Sequence, residues 1–169
     1  MEAKTSGKHK FFKDSGMTFK EVYDFAFKDS FIPIIKNLAK ELKEDSFMEI
    51  LKRAAYEAAL QEGQNEAKDR PNNDFANFTA WARDSINFWK HFLTLDIVED
   101  TDKAFEIKVT ECLYAKTFRE NDAGDIGYVT ICHPDYAFCQ GFNPKIKMIR
   151  TKTLMQGDDC CNHRWIWEE

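Results

Sequence analysis

The chain has 169 residues, 43% of them hydrophobic and fifteen of them Phe, enough to bury the core of one domain and too apolar for a disordered chain. The net charge of −5 comes from Lys and Arg scattered among Asp and Glu. Without a basic stripe or aromatic-basic interleaving, nucleic acid is excluded as a partner class, and no apolar run reaches the roughly 20 residues of a membrane helix.

The first sixteen residues, "MEAKTSGKHKFFKDSG", are charged and lack the apolar core of a signal peptide. They read as a flexible tail before a single domain over 17–169. No lipidation motif is present, so the expected location is the cytoplasm. There the five cysteines stay reduced, and the absence of a C-x-x-C pair speaks against a zinc ribbon or a thioredoxin-like motif.

Three helices are expected in the first half. Thr18-x-x-Glu21 has the form of a capping box. Behind it Val22, Phe25, Ile35, Leu38, Ala39 and Leu42 recur at helical spacing, with Pro33 as a kink. Ser46-x-x-Glu49 opens a second helix that Gly63 should end. The third starts near Pro71–Asp74 and carries Phe75, Phe78, Ala82, Ile86, Trp89 and Leu93 on one stripe, read as core.

Beyond Leu95 the period changes. "AFEIKVTEC" alternates Phe105, Ile107 and Val109 with Glu106, Lys108 and Thr110, the mark of a strand with one buried face. "KIKMIRTKTLM" reads as another strand, Gly157-Asp158 as a hairpin turn and "CCNHRWIW" as the last strand. A helical crossover lies between the strand pairs, interrupted at Pro134 and ended by Gly141 and Pro144. The expected fold is α+β: N-terminal helices packed on a small, mainly antiparallel four-stranded sheet with a helical crossover.

Chemistry concentrates in two places. Along the last strand, period two sets Cys161, His163, Trp165 and Trp167 on one face, with Cys160, Asn162 and Arg164 on the other. Cys161 and His163 then have Cα atoms roughly 6.6 Å apart, and an imidazole beside a thiol favours the reactive thiolate. The bland alternative is a small buried thiol beside a satisfied histidine. In "CHPDYAFC", Cys132, His133 and Asp135 sit within one turn, and Asp135 and Cys139 share a helix face. Asp135 is equally a routine helix-start residue. Cys112 ends its strand in the polar phase, which calls for a bulge, a covering helix or a site. Cys112, Cys132 and Cys161 all lie near element ends that can converge on one side of the sheet. With His163 they supply either a nucleophile with its base or a zinc donor set, so a divalent metal is the one cofactor left open.

From Val109 to Trp165 the chain resembles the L-2-amino-thiazoline-4-carboxylic acid hydrolase family. The resemblance rests on Glu111-Cys112, Cys132 with Asp135, "GFNP" at Gly141–Pro144, and "RTKTLMQGDDCCNHR" at Arg150–Arg164. It implies a hydrolase of non-peptide C–N bonds that opens the ring of a cyclic amidine to an N-carbamoyl-cysteine product. Cys112, Cys132, Asp135, Gly157 and Cys161 fall on recurrent family positions. Asn162 stands where Asp is commoner, and His163 where Phe is also common. Cys139 and Cys160 lie outside the pattern. On this reading Cys161 is the expected nucleophile, with Cys132 second. Asp135 or His163 handles protons, and Arg164 or Arg150 holds a substrate carboxylate, although period two turns Arg164 away from Cys161. The partner is a small-molecule substrate, and the oligomeric state stays open. The competing class is a non-enzymatic ligand-binding or metal-binding sensor domain that uses the same Cys/His cluster.

Overall fold

A computed structural model describes residues 17–168; the expected tail at 1–16 lies outside the described residues. Helix α1 spans Phe19–Ala26, a π-helical turn Phe27–Phe31, and α2 Ile32–Glu41. Helix α3 follows at Glu44–Lys68 and α4 at Phe75–Trp89. Strands β1 (Leu93–Asp100) and β2 (Ala104–Cys112) come next. The crossover contains α5 (Leu113–Glu120), the short α6 (Gly124–Gly127), a second π-helical turn at Tyr128–Cys132, and α7 (Pro134–Phe142). Strand β3 (Ile146–Ile149), a 3₁₀ turn at Leu154–Gln156 and β4 (Cys161–Trp167) complete the chain.

The strands form one antiparallel sheet in the order β1-β2-β4-β3. This is the expected α+β fold. Phe105, Ile107 and Val109 are buried, opposite Trp165, His163 and Cys161 of β4. Phe78, Ala82 and Ile86 of α4 and Cys139 and Phe142 of α7 cover that face. A second apolar cluster joins Ile32 to Ala115, Phe118, Ile126 and Met155. Among the described residues no helix is long and apolar enough to cross a membrane.

The capping box at Thr18 and Glu21 is formed, and Asp74 caps α4 by accepting from the Asn77 N–H at 2.8 Å. Both π-helical turns end just before a proline's own turn. Ile32 N–H reaches back to Phe27 C=O ahead of Pro33, and His133 N–H reaches Tyr128 C=O ahead of Pro134. A proline lacks the donor that continues an α ladder, and one wide turn absorbs the misfit.

Five expectations need correction. Val22, Phe25, Leu38 and Leu42 face outward, while Tyr23, Ile32 and Ala39 are buried. The π turn shifts the helical phase, and the rings of Tyr23 and Phe27 pack on Tyr114 instead. Ser46 lies within α3, which has no side-chain cap. Gly63 does not end that helix. A Cβ there would stand 2.1 Å from Phe138 O, and one on Gly141 2.1 Å from Leu60 O. The two glycines let α3 and α7 cross backbone to backbone. Finally, "KIKMIRTKTLM" is a strand only through Ile149, and Gly157 is no hairpin turn. It ends the 3₁₀ turn with φ +102°, inside a long connection between β3 and β4.

Candidate active site

An apolar cavity of about 390 Å³ lies between the sheet and helices α3, α4 and α7. Cys112, Cys132, Cys139, Cys161, Asp135 and His163 all line it. Each arrives by a different local device. β4 alternation turns Cys161 and His163 to the helical side. Cys132 is the last residue of the π turn. Asp135 and Cys139 sit one helical turn apart on α7. Cys112 has the reason its polar phase demanded: it caps α5, its Sγ accepting from Ala115 N–H at 3.4 Å. Cys139, taken as incidental from the sequence, accepts from Trp165 Nε1–H at 3.1 Å.

Arg150 holds this wall together from behind. Its side chain is 2% exposed. Nη1 donates to Asp135 Oδ2 at 2.8 Å and meets His163 Nε2 at 3.1 Å, and Nη2 donates to Cys132 O at 2.7 Å. The guanidinium also lies over the Tyr136 ring, 5.0 Å from its centroid. Arg150 does not line the cavity. Three of its N–H groups go to protein acceptors, and from behind the wall it positions Asp135 and His163 instead of meeting a ligand. Arg164 is further away still. It bonds Glu99 at 2.9 Å and lies 3.4 Å from Glu106, on the opposite sheet face. Neither arginine stands where a carboxylate in the cavity would meet it.

The connection from Arg150 to Cys160 is closed by side chains. Asn162 Oδ1 accepts from Thr151 and Lys152 N–H at 3.0 and 2.8 Å. Asp158 Oδ2 accepts from Thr153 N–H at 2.7 Å. This closure places Leu154 N–H 3.2 Å from Cys161 Sγ and the buried Thr153 hydroxyl 3.9 Å from Cys132 Sγ. Sequence reasoning gave Thr153 and Leu154 no role: they lie within the Arg150–Arg164 motif, but no period shows that this loop bends back onto a strand.

Burial pushes the Cys112 thiol up to about 11 and those of Cys132 and Cys139 up to about 12. Cys161 is raised too, again by burial. Leu154 N–H, the Thr153 hydroxyl and the Arg150 charge oppose that rise; the last two also act at Cys132, so the Leu154 N–H is what sets Cys161 apart from it. At Cys132 and Cys139 the Asp135 charge outweighs the Arg150 charge. The thiols are therefore protonated at neutral pH, and Cys161 is the one whose surroundings best accept a negative sulfur.

Among the described residues, no group of three or more His, Cys, Asp or Glu side chains could hold a metal ion. The thiols share a cavity but do not form the zinc donor set that the sequence left open. His133, part of the sequence cluster, packs instead among the rings of Tyr56, Tyr128 and Tyr136.

Residues 24–165 match the family model described as L-2-amino-thiazoline-4-carboxylic acid hydrolase. No curated protein matches the chain. Among solved structures, one similar fold is the phenol-responsive sensory domain of the transcription activator PoxR with phenol. It has a TM-score of 0.51 and 9% identity, covering 80% of this chain and 71% of that one. Another is subunit 3 of a trafficking protein particle complex from Naegleria fowleri, covalently bound to palmitic acid. It has a TM-score of 0.52 and 11% identity, covering 88% of this chain and 97% of that one. At these identities the likeness is one of fold.

Proposed function

The chain belongs to the L-2-amino-thiazoline-4-carboxylic acid hydrolase family, and from that premise we propose that its cavity hydrolyses a cyclic amidine by thiol chemistry, with Cys161 as nucleophile. The observation that carries the proposal is the position of Cys161 in the cavity wall, its sulfur accepting Leu154 N–H. Asp135 lines the same cavity to accept a proton.

Cys161 Sγ adds to the amidine carbon and passes its proton to Asp135. The ring C–S bond then breaks, and the departing sulfur takes a proton back. Water adds to the same carbon, the bond to Cys161 breaks, and an N-carbamoyl product leaves. That product keeps both nitrogens on the carbonyl carbon, so the bond cleaved in the ring is C–S. Cleavage of the ring C–N bond would free an amine and leave an S-carbamoyl product. Asp135 returns the proton, and the Nδ1–H of His163, buried with no protein partner, is left to give the departing sulfur a hydrogen bond.

The test is incubation with L-2-aminothiazoline-4-carboxylate, with and without added divalent metal, followed by mass spectrometry and a thiol-reactive dye. Gain of one water with a new free thiol supports the proposal, provided Cys161→Ala makes no product. Gain of water without a free thiol points to C–N cleavage. No product from the wild type removes this substrate.

A second reading has its own support. The cavity wall is mostly apolar and aromatic, and the two solved structures named above carry phenol and palmitic acid by their descriptions. A domain that binds an apolar ligand without turnover would show saturable binding and no product under the same conditions.

A further inference from the structure

We infer that the cavity is shaped for a cationic cyclic amidine bearing an aromatic or apolar substituent, and not for one bearing a carboxylate; the chemistry rests on the hydrolase reading, but the claim concerns what the cavity binds. Among the described residues, the lining groups that carry full charge are Asp135 and Glu62, both acidic, and no Lys or Arg reaches the cavity. Arg150, buried behind the wall, does not line the cavity and gives three of its N–H groups to Asp135, His163 and the Cys132 carbonyl. Lys20, Lys90, Lys116 and Arg119 line a separate cleft that shares only Phe92, Leu93 and Cys112 with the cavity. A carboxylate bound among aromatic rings would lose its water and meet no opposite charge, a cost that burial does not return.

An amidinium faces the reverse balance. Asp135 Oδ2 is held by Arg150, while Oδ1 accepts no hydrogen bond from the described residues and is left for a ligand donor. Glu62 adds negative charge on α3, and aromatic faces attract a cation. Size points the same way. A cavity of about 390 Å³ lies in the range that takes drug-sized ligands, and a bare thiazoline amino acid leaves much of it unfilled. The rings of Trp81, Trp89, Phe138 and Trp165 offer flat apolar walls to a substituent.

Three of the wall residues are tryptophans, so binding is read by their fluorescence in the full chain. The probes are 4-benzyl-2-amino-2-thiazoline, its analogue with a carboxylate on the benzyl ring, and L-2-aminothiazoline-4-carboxylate. The benzyl compound should bind with a Kd at least about tenfold below both carboxylates. Glu62 is exposed, so Glu62→Lys should leave the fold intact. It should narrow the gap from both sides, weakening the benzyl compound and strengthening the carboxybenzyl one. Equal or tighter binding of either carboxylate by the wild type, or no binding of the benzyl compound, overturns the inference. Product analysis on the same samples is a separate readout. Absence of product from every probe removes the hydrolase reading, while the binding order still decides what the cavity accepts.

Discussion

Arg150 and His163 meet at 3.1 Å through Nη1 and Nε2, and that contact assigns the imidazole its tautomer. A guanidinium can only donate, so Nε2 must accept and Nδ1 carries the proton. Nδ1 is buried with no hydrogen-bond partner. The same Nη1 holds Asp135 at 2.8 Å, so one arginine sets both the proton acceptor and a hydrogen-bond donor of the cavity.

Arg150→Met should therefore hurt function and stability together. It leaves Cys132 O and Asp135 without their donor, although Asp135 is 41% exposed and recovers part of its solvation. A loss of about 2–3 kcal/mol is expected. Arg150→Lys should restore part of the stability but not the His163 geometry, since an ammonium lacks the planar fork. Urea midpoints and turnover of both variants separate the two effects. Full activity in Arg150→Lys would show that the fork is dispensable.

The buried thiols predict an alkaline weakness. An unfolded Cys titrates near its ordinary 9.0, while burial holds Cys112 at about 11 and Cys132 at about 12 in the folded chain. Between those values the unfolded state has lost protons that the folded state keeps. Stability is thus fully present below pH 9 and falls as pH rises toward 11–12, by about 1 kcal/mol for each pH unit and thiol. Urea unfolding from pH 8 to 10.5 should show the decline. Cys132→Ala should flatten it relative to wild type; an unchanged slope would assign the loss elsewhere.

The sheet was legible because its signal is local. Phe105, Ile107 and Val109 alternate, and the same period put Cys161 and His163 on the buried face and Arg164 on the other. What was illegible depends on contacts between distant segments. Gly63 carries the mark of a helix end, yet it serves a helix crossing that only Gly141 explains. The apolar positions of α1 and α2 fit a simple helical stripe until a π turn shifts its phase. Arg150 looks like a ligand for a carboxylate, and nothing near it in sequence shows that Asp135, Cys132 and His163 already occupy it.

The crossing of α3 and α7 gives a sharp stability test. Gly63→Ala and Gly141→Ala each place a Cβ 2.1 Å from a backbone oxygen of the partner helix, and a backbone atom cannot move aside alone. Each should cost about 2–3 kcal/mol and shift Asp135 and Cys139, which ride on α7. Gly124→Ala meets Met155 O at 3.4 Å, an ordinary contact, and serves as the mild control. Thermal unfolding of the three variants orders them; equal melting points would mean that the helices separate at little cost.

Arg164→Ala tests which sheet face matters. Its pairs with Glu99 and Glu106 are about one-third exposed on the arginine side, so the cost should stay within about 1 kcal/mol. Ligand binding and turnover should match the wild type, because the side chain lies across the sheet from Cys161. A rise in KM with unchanged stability would return Arg164 to the substrate.

Asn162 tests the loop that serves the nucleophile. Its Oδ1 takes two backbone N–H groups, from Thr151 and Lys152, while Nδ2 donates to Thr151 Oγ1 at 3.0 Å. Asn162→Asp keeps the acceptor, and the Thr151 hydroxyl can rotate to donate to the new carboxylate, so activity should remain within about threefold of wild type. Asn162→Ala frees the loop at a cost of about 1–3 kcal/mol. Leu154 N–H should then drift from Cys161 Sγ, and kcat should fall more than KM rises. If alkylation of Cys161 at fixed pH is as fast in Asn162→Ala as in the wild type, the loop donor has no part in setting thiol reactivity.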